Sequence, residues 1–304
     1  CMPIEVFGPG YQFLPRDEIL NFDEIVRTVR VSVGLGVSKV RLTGGEPLLR
    51  RGVGDLVAMI AAVPGVEDLA MTTNGILLNH HAESLVAAGL DRVTVSLDAL
   101  SEETFAKMNG VGAKVDRVLQ GIRSAQESGL SVKVNMVVQR GVNEQEIVPM
   151  IRWSHDAGVI LRFIEFMDVG ETNGWDTRQV VTAAEVLEIA SEQFPVEEVA
   201  AAYPGEVAKR WRFLDGAGEF GTISSVSQPF CGDCSRLRVS AEGKAFTCLF
   251  GSAGADLRHC LRSATSDKDV AEFIRTLWGT RNARYSEERG EVERPKAEMS
   301  YLGG

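Results

Sequence analysis

Three cysteines stand at spacings that suit a shared metal centre: Cys231 and Cys234 are separated by two residues, and Cys248 follows after thirteen more. A closed zinc site takes four ligands, and Cys260 or His259 could supply the fourth. Cys260, however, falls at helical spacing with Leu257 and Leu261, which marks it as a small core hydrophobe and leaves three thiolates. A cubane iron-sulfur cluster held by three protein thiolates keeps one iron open for a non-protein group, so the count favours iron-sulfur while leaving zinc in contention. Directly after the cysteine pair, Ser235-Arg236-Leu237-Arg238-Val239 alternates so that Arg236 and Arg238 share a face. Such a face is ordinarily solvated. Beside a cluster it would also suit a polyphosphate.

Two further cations raise the same question. In Ser131-Val132-Lys133-Val134-Asn135-Met136-Val137-Val138 the apolar residues at even positions take one face and leave Lys133 and Asn135 together on the other. A parallel sheet is covered on both faces, so Lys133 would point inward, where an unpaired ammonium is costly and calls for an anion. Arg41 lies opposite in phase to Val40 and Leu42 and reads the same way. Either cation could reach solvent at a rim or meet an internal carboxylate, but two aimed at one mouth favour phosphate. Thr43-Gly44-Gly45-Glu46-Pro47 and Thr72-Thr73-Asn74-Gly75 are turn sequences that would let a ligand approach the backbone, although each alone is more often a plain turn.

The elements that must hold these residues are repeated βα units. Strands are expected at Lys39–Thr43, Asp68–Thr73, Arg92–Leu97, Val132–Val138 and Val159–Phe166. Helices are expected at Phe22–Val33, Asp55–Ala62, His81–Ala88, Asp116–Ser128 and Glu144–Ala157, several ending in glycine (Gly34, Gly89, Gly129, Gly158). The pattern predicts a partial or complete α/β barrel over residues 1–195 and a smaller domain over 196–304, where the alternation fades. Barrel ligands sit at the carboxyl ends of strands, and Ser96, Asp98, Met167 and Asp168 fall there with the two glycine loops.

Composition agrees with a globular protein: 44% hydrophobic and 24% charged residues, with no apolar run near the roughly 18 to 20 residues that span a bilayer. A formal charge of -10 disfavours nucleic-acid partners but permits a local cationic pocket. Five cysteines without a framework spacing predict reduced thiols in a cytoplasm.

These segments, together with Cys1-Met2-Pro3, Arg162-Phe163-Ile164-Glu165, Phe230–Val239, Cys248-Leu249-Phe250-Gly251 and the terminal Gly303-Gly304, resemble the GTP 3',8-cyclases of molybdenum cofactor biosynthesis, a radical S-adenosylmethionine (SAM) family, over nearly the whole chain. The resemblance implies a partial (βα)6 TIM-like barrel of the radical SAM type and a smaller C-terminal domain with a second cluster. It implies two [4Fe-4S] clusters, the first bound by Cys1 as the last cysteine of a CxxxCxxC motif, the second by Cys231, Cys234 and Cys248. Gly45, Ser96 and Met167 would contact SAM; Arg41, Thr72, Lys133, Arg236, Leu237 and Arg238 would hold GTP.

In family terms, a 5'-deoxyadenosyl radical takes the ribose C3' hydrogen and the carbon radical closes onto guanine C8, giving (8S)-3',8-cyclo-7,8-dihydroguanosine 5'-triphosphate. A flavodoxin or ferredoxin reductant, a homodimer and a downstream cyclic pyranopterin monophosphate synthase are implied too. The first two cysteines of the radical motif would precede Cys1, so this chain alone is expected to be inactive. Two rivals stay open: another radical SAM enzyme with an auxiliary cluster, and a zinc-stabilised, non-enzymatic binding module. The resemblance also implies that Gly303 and Gly304 reach the active site. Deleting both from the complete enzyme should leave iron and sulfide content intact and sharply lower turnover; unchanged turnover would count against that role.

Overall fold

The computed structural model describes residues 14–15, 17–203, 205–281, 284–289 and 296–302; Cys1, Gly303 and Gly304 lie outside them. Five strands, β1 (Lys39–Leu42), β2 (Asp68–Thr73), β3 (Arg92–Ser96), β4 (Ser131–Val138) and β5 (Ile160–Glu165), pair in parallel with their sequence neighbours. β6 (Val196–Val199), β7 (Lys209–Phe213) and β8 (Glu219–Ile223) extend the same sheet. β8 joins β5 in parallel as the sixth parallel strand, and β7 and β6 continue it antiparallel, for a sheet order β1-β2-β3-β4-β5-β8-β7-β6. The sheet thus has the open, sequential order of a (βα)6 partial barrel, and its final strands come from beyond residue 195.

The helical layer follows the expected spans with instructive differences. α1 (Phe22–Val33) starts where Asn21 and Glu24 close a reciprocal capping box. α2 (Val53–Ala61) and α3 (Leu78–Ala87) each begin a few residues early. α4 (Glu102–Asn109), unannounced by the alternation, is capped by Ser101 and precedes α5 (Val115–Glu127). α6 spans Ile147–Ala157 only, with Glu144–Glu146 forming a 3-10 turn. The cause is Pro149: lacking an N–H and crowding the carbonyl four residues back, it is tolerated in a first turn but not further in. Gly158 ends α6 in the left-handed region at φ 65°, whereas Gly34 stays right-handed at φ -61° and contributes no such cap.

The helices cover one face of the sheet. Leu69, Met71, Val93, Val95, Val134, Met136, Leu161 and Phe163, alternating along β2 to β5, are all buried there, with Phe163 edge-on to Phe220. The opposite face carries the polar residues in phase with Arg41 and Lys133. After α7 (Ala183–Ser191), the remaining elements are a three-stranded sheet of β9 (Arg238–Val239), β10 (Lys244–Phe246) and β11 (Ala255–Asp256), then α8 (Leu257–Ser263), α9 (Asp267–Gly279) and α10 (Met299–Leu302). Val31, Ala245, Leu257, Leu261, Val270 and Ile274 form a second core, and Cys260 packs against it, as its helical spacing predicts. No helix among the described residues is long and apolar enough to cross a membrane.

One close approach ties the fold to the ligand loops. A Cβ at Gly121 of α5 would stand 2.1 Å from the carbonyl oxygen of Gly75, in the turn after β2. The helix can seat there only because position 121 lacks a side chain. Gly121→Ala must displace backbone, not a flexible side chain, and should destabilise the protein by about 1–3 kcal/mol in urea unfolding; an unchanged midpoint would contradict the contact.

Candidate active site

Strand register assembles the polar face row by row. Thr72, Thr94 and Lys133 stand side by side on β2, β3 and β4, and Ser96, Asn135 and Arg162 form the next row on β3, β4 and β5. Arg41 on β1 donates through Nη1 to Thr72 Oγ1 at 2.9 Å and Thr94 Oγ1 at 3.2 Å. Arg162 donates through Nε to Asn135 Oδ1 at 2.9 Å and through Nη2 to the same Thr94 hydroxyl at 3.2 Å. Thr94 is fully buried and serves as the hinge between the two guanidiniums.

The electrostatic consequence is a crowd of cations. Burial, then the neighbouring Arg162 and Arg92, draw the Lys133 ammonium below its ordinary value. Burial and the charges of Arg41 and Arg92 pull Arg162 down to about 10. Arg92 alone has a strong internal partner, a bidentate pair with Asp68 at 2.7 Å on both arms. Among the described residues, Arg41 and Arg162 donate to neutral side chains, and neither they nor Lys133 forms an ion pair with a carboxylate. Three like charges are thus held over one sheet face at a cost in desolvation and repulsion.

Arg41, Thr72 and Lys133 are therefore brought together as expected, and Arg162 and Thr94 join them. Strand phase could have found Arg162, since it alternates with Leu161 and Phe163 as Lys133 does with its valines. The β6–β7 connection overlooks this face, with Lys39 Nζ 3.2 Å from the centroid of the Tyr203 ring.

The glycine loop after β1 is fixed by its glutamate. Glu46 accepts from Thr73 Oγ1 at 2.8 Å, from Asn74 N at 2.8 Å and from Leu48 N at 3.0 Å, lashing the first two strand-end loops together. Gly44 takes φ 135°, a conformation open to glycine, and Gly45 is exposed beside it. Ser96 is exposed at the end of β3. Met167, two residues past β5, packs in a small cluster with Val169, Cys248, Phe250 and Tyr285, so the strand ends adjoin the cysteine region directly.

Cys231, Cys234 and Cys248 all lie on loops and are half-buried. Arg281 binds the pair's backbone, donating to Cys234 O at 2.6 Å and Cys231 O at 3.2 Å. Burial pushes the Cys234 thiol up, yet Arg236, whose Nε lies 3.3 Å from its sulfur, and Arg238 outweigh this and hold it below its ordinary value. Burial, with Cys231 and Cys234 nearby, pushes Cys248 up, the response of thiols that crowd one another. Arg238 is drawn down to about 10 by burial and by Arg236, and with Val239 it forms the short strand β9. Leu237 lies between the two arginines and packs toward the second core. Burial, with Arg92 and Arg236 adding to it, lowers Arg41 from its ordinary value.

The donor set fits an electron-rich body larger than one ion. Arg238 Nη1, Arg281 Nε and Arg289 Nη2 are buried without a partner among the described residues, and two of those arginines flank the cysteines. Also among the described residues, no three Cys, His, Asp or Glu side chains close up on a single metal ion.

Acid titration should expose the Arg92 pair. Burial raises the Asp68 carboxyl, but Arg92, with Lys39 and Arg41 behind it, holds it below its ordinary 3.8. The charged form is favoured by folding, so its contribution is complete above that value and disappears as pH falls through the lowered one. The melting-temperature gap between wild type and Asp68→Asn should therefore close below about pH 3.8; a gap independent of pH would refute the pairing.

Comparison with known proteins places these features in context. Residues 3–154 match the family described as Radical SAM superfamily, and residues 159–287 that described as Molybdenum Cofactor Synthesis C. The chain is 47% identical over 332 residues to a GTP 3',8-cyclase of Acidothermus cellulolyticus, covering 100% of this chain and 92% of that protein. It is 46% identical to one of Staphylococcus saprophyticus and 44% identical to one of Staphylococcus aureus, each over 310 residues, 100% of this chain and 91% of the relative.

Proposed function

Because the chain belongs to the GTP 3',8-cyclase family of the radical SAM superfamily, we propose that its cationic sheet face binds the triphosphate of GTP while Cys231, Cys234 and Cys248 hold a second cluster against the guanine. The protein is a radical SAM enzyme of molybdenum cofactor synthesis. The observation that carries the substrate reading is the trio Arg41, Lys133 and Arg162 on one sheet face, the two guanidiniums hydrogen-bonded to neutral side chains and Lys133 lowered by burial and by Arg162.

A triphosphate would neutralise these cations and restore the charged forms that burial disfavours. Arg236 and Arg238, between that face and the cysteines, suit the part of the nucleotide joining phosphates to base. The resulting span sets the ribose near the strand ends, where Gly45, Ser96 and Met167 would hold SAM. SAM, bound with a first cluster that Cys1 would help to hold, would supply hydrogen-abstracting one-electron chemistry. The chain's own part is orientation: Glu46 fixes the loop that would hold SAM, and Thr72 and Thr94 aim the guanidiniums. The division of labour follows residues 1–195 for SAM and phosphates and 196–304 for the base, although β8 of the second part completes the sheet of the first. A flavodoxin or ferredoxin would deliver electrons, the enzyme would pair as a homodimer, and a cyclic pyranopterin monophosphate synthase would take its product.

Isothermal titration tests the phosphate site. Lys133→Ala and Arg162→Ala should each weaken GTP binding roughly tenfold, the scale of a charge-assisted hydrogen bond. Undiminished affinity in both variants would point instead to a peptide-modifying enzyme of the same superfamily. Metal analysis should return iron and sulfide in amounts unaffected by Cys260→Ala; stoichiometric zinc would overturn the cluster.

A further inference from the structure

The carboxylate of Asp168, one residue beyond Met167, is buried at 4% exposure and takes no part in the chemistry above. Its side-chain donors come from one remote stretch of chain. Tyr285 Oη at 2.6 Å and Lys296 Nζ at 2.8 Å donate to Oδ2, and Arg289 Nε at 2.8 Å donates to Oδ1. The same stretch is fastened to the same strand end again, because Glu298 accepts from Glu171 N and Thr172 Oγ1, both at 2.9 Å. On the far side the Tyr285 ring stacks on Phe250, 4.6 Å between centroids and 24° between planes, two residues past Cys248.

One carboxylate therefore joins three things: the end of β5 that carries Met167, the loop that carries Cys248, and the C-terminal residues. Burying two cations, a carboxylate and a phenol for stability alone is a poor exchange, since apolar packing of equal volume does as well. What the charged cluster provides is a fixed geometry.

We infer that Asp168 is a positioning residue: acting through residues 285–289 and 296–302, it sets the gap between the Met167 strand end and the Cys248 loop, and so the placement of the GTP ribose against the hydrogen-abstracting group. The inference rests on the cyclase reading above. A misplaced ribose lets SAM cleavage run without cyclisation, so the sensitive quantity is the 5'-deoxyadenosine released per cyclised nucleotide, not the rate alone.

In the reconstituted holoenzyme, Asp168→Asn should keep iron content and GTP affinity within twofold of wild type and raise that ratio several-fold. Limited trypsin digestion should cut its C-terminal residues earlier, and Asp168→Glu should recover part of the coupling. An Asn variant with wild-type ratio and wild-type proteolysis overturns the inference. If Asp168→Asn loses its clusters or its cooperative unfolding, Lys296→Met and Arg289→Gln each remove one arm, and a wild-type ratio in both overturns it equally. A wild-type enzyme that releases 5'-deoxyadenosine yet never cyclises GTP defeats the cyclase reading instead; equal C-terminal cleavage of wild type and variant then decides against the strap.

Discussion

Like charges gathered on one sheet face organise this protein. Arg41, Lys133 and Arg162 stand on β1, β4 and β5 of that face, the two guanidiniums propped by threonine and asparagine side chains that cannot neutralise them. Burial lowers the affinity of each for its proton, and mutual repulsion lowers it further. The state is tolerable because the opposite face of the same strands is packed with Val, Leu, Met and Phe that fix the backbone irrespective of what the cations prefer. The core supplies rigidity, and the cationic face spends none of it on pairing.

The cysteine region repeats the arrangement on loops. There the backbone is held by a side chain, Arg281, instead of by a sheet ladder, and three guanidinium N–H groups in the C-terminal half point to no partner among the described residues. Arg236 sits against Cys234 Sγ, its Nε 3.3 Å from the sulfur.

Strand phase made much of this readable in the sequence. Lys133 was identifiable because valines flank it on both sides, and Arg41 by the same parity. Arg162 has that signature too, between Leu161 and Phe163, but a lone arginine in a run of six residues is easily assigned to a rim. Thr94 carried no signal at all, because threonine suits any strand; its role emerges only from the register that sets it beside Thr72 and Lys133. The Asp168 node was equally hidden, as its partners lie 117 to 128 residues away, and no local pattern couples them. Helix edges failed where a local rule intervened, as Pro149 does in α6.

Glycine 121 bears on how freely this sequence can drift. Three helical glycines differ in what a side chain would meet: Gly54 and Gly279 have nothing within 4 Å of an added Cβ, while Gly121 has a carbonyl at 2.1 Å. The first two lie on helix stretches where alanine fits, so lineages under heat or dilution have room there to gain order in the chain. The third is locked to the turn after β2, the strand that presents Thr72 to Arg41. Selection for robustness and selection for ligand geometry therefore act on separate sets of positions, and the protein can harden at its periphery while its mouth stays unchanged.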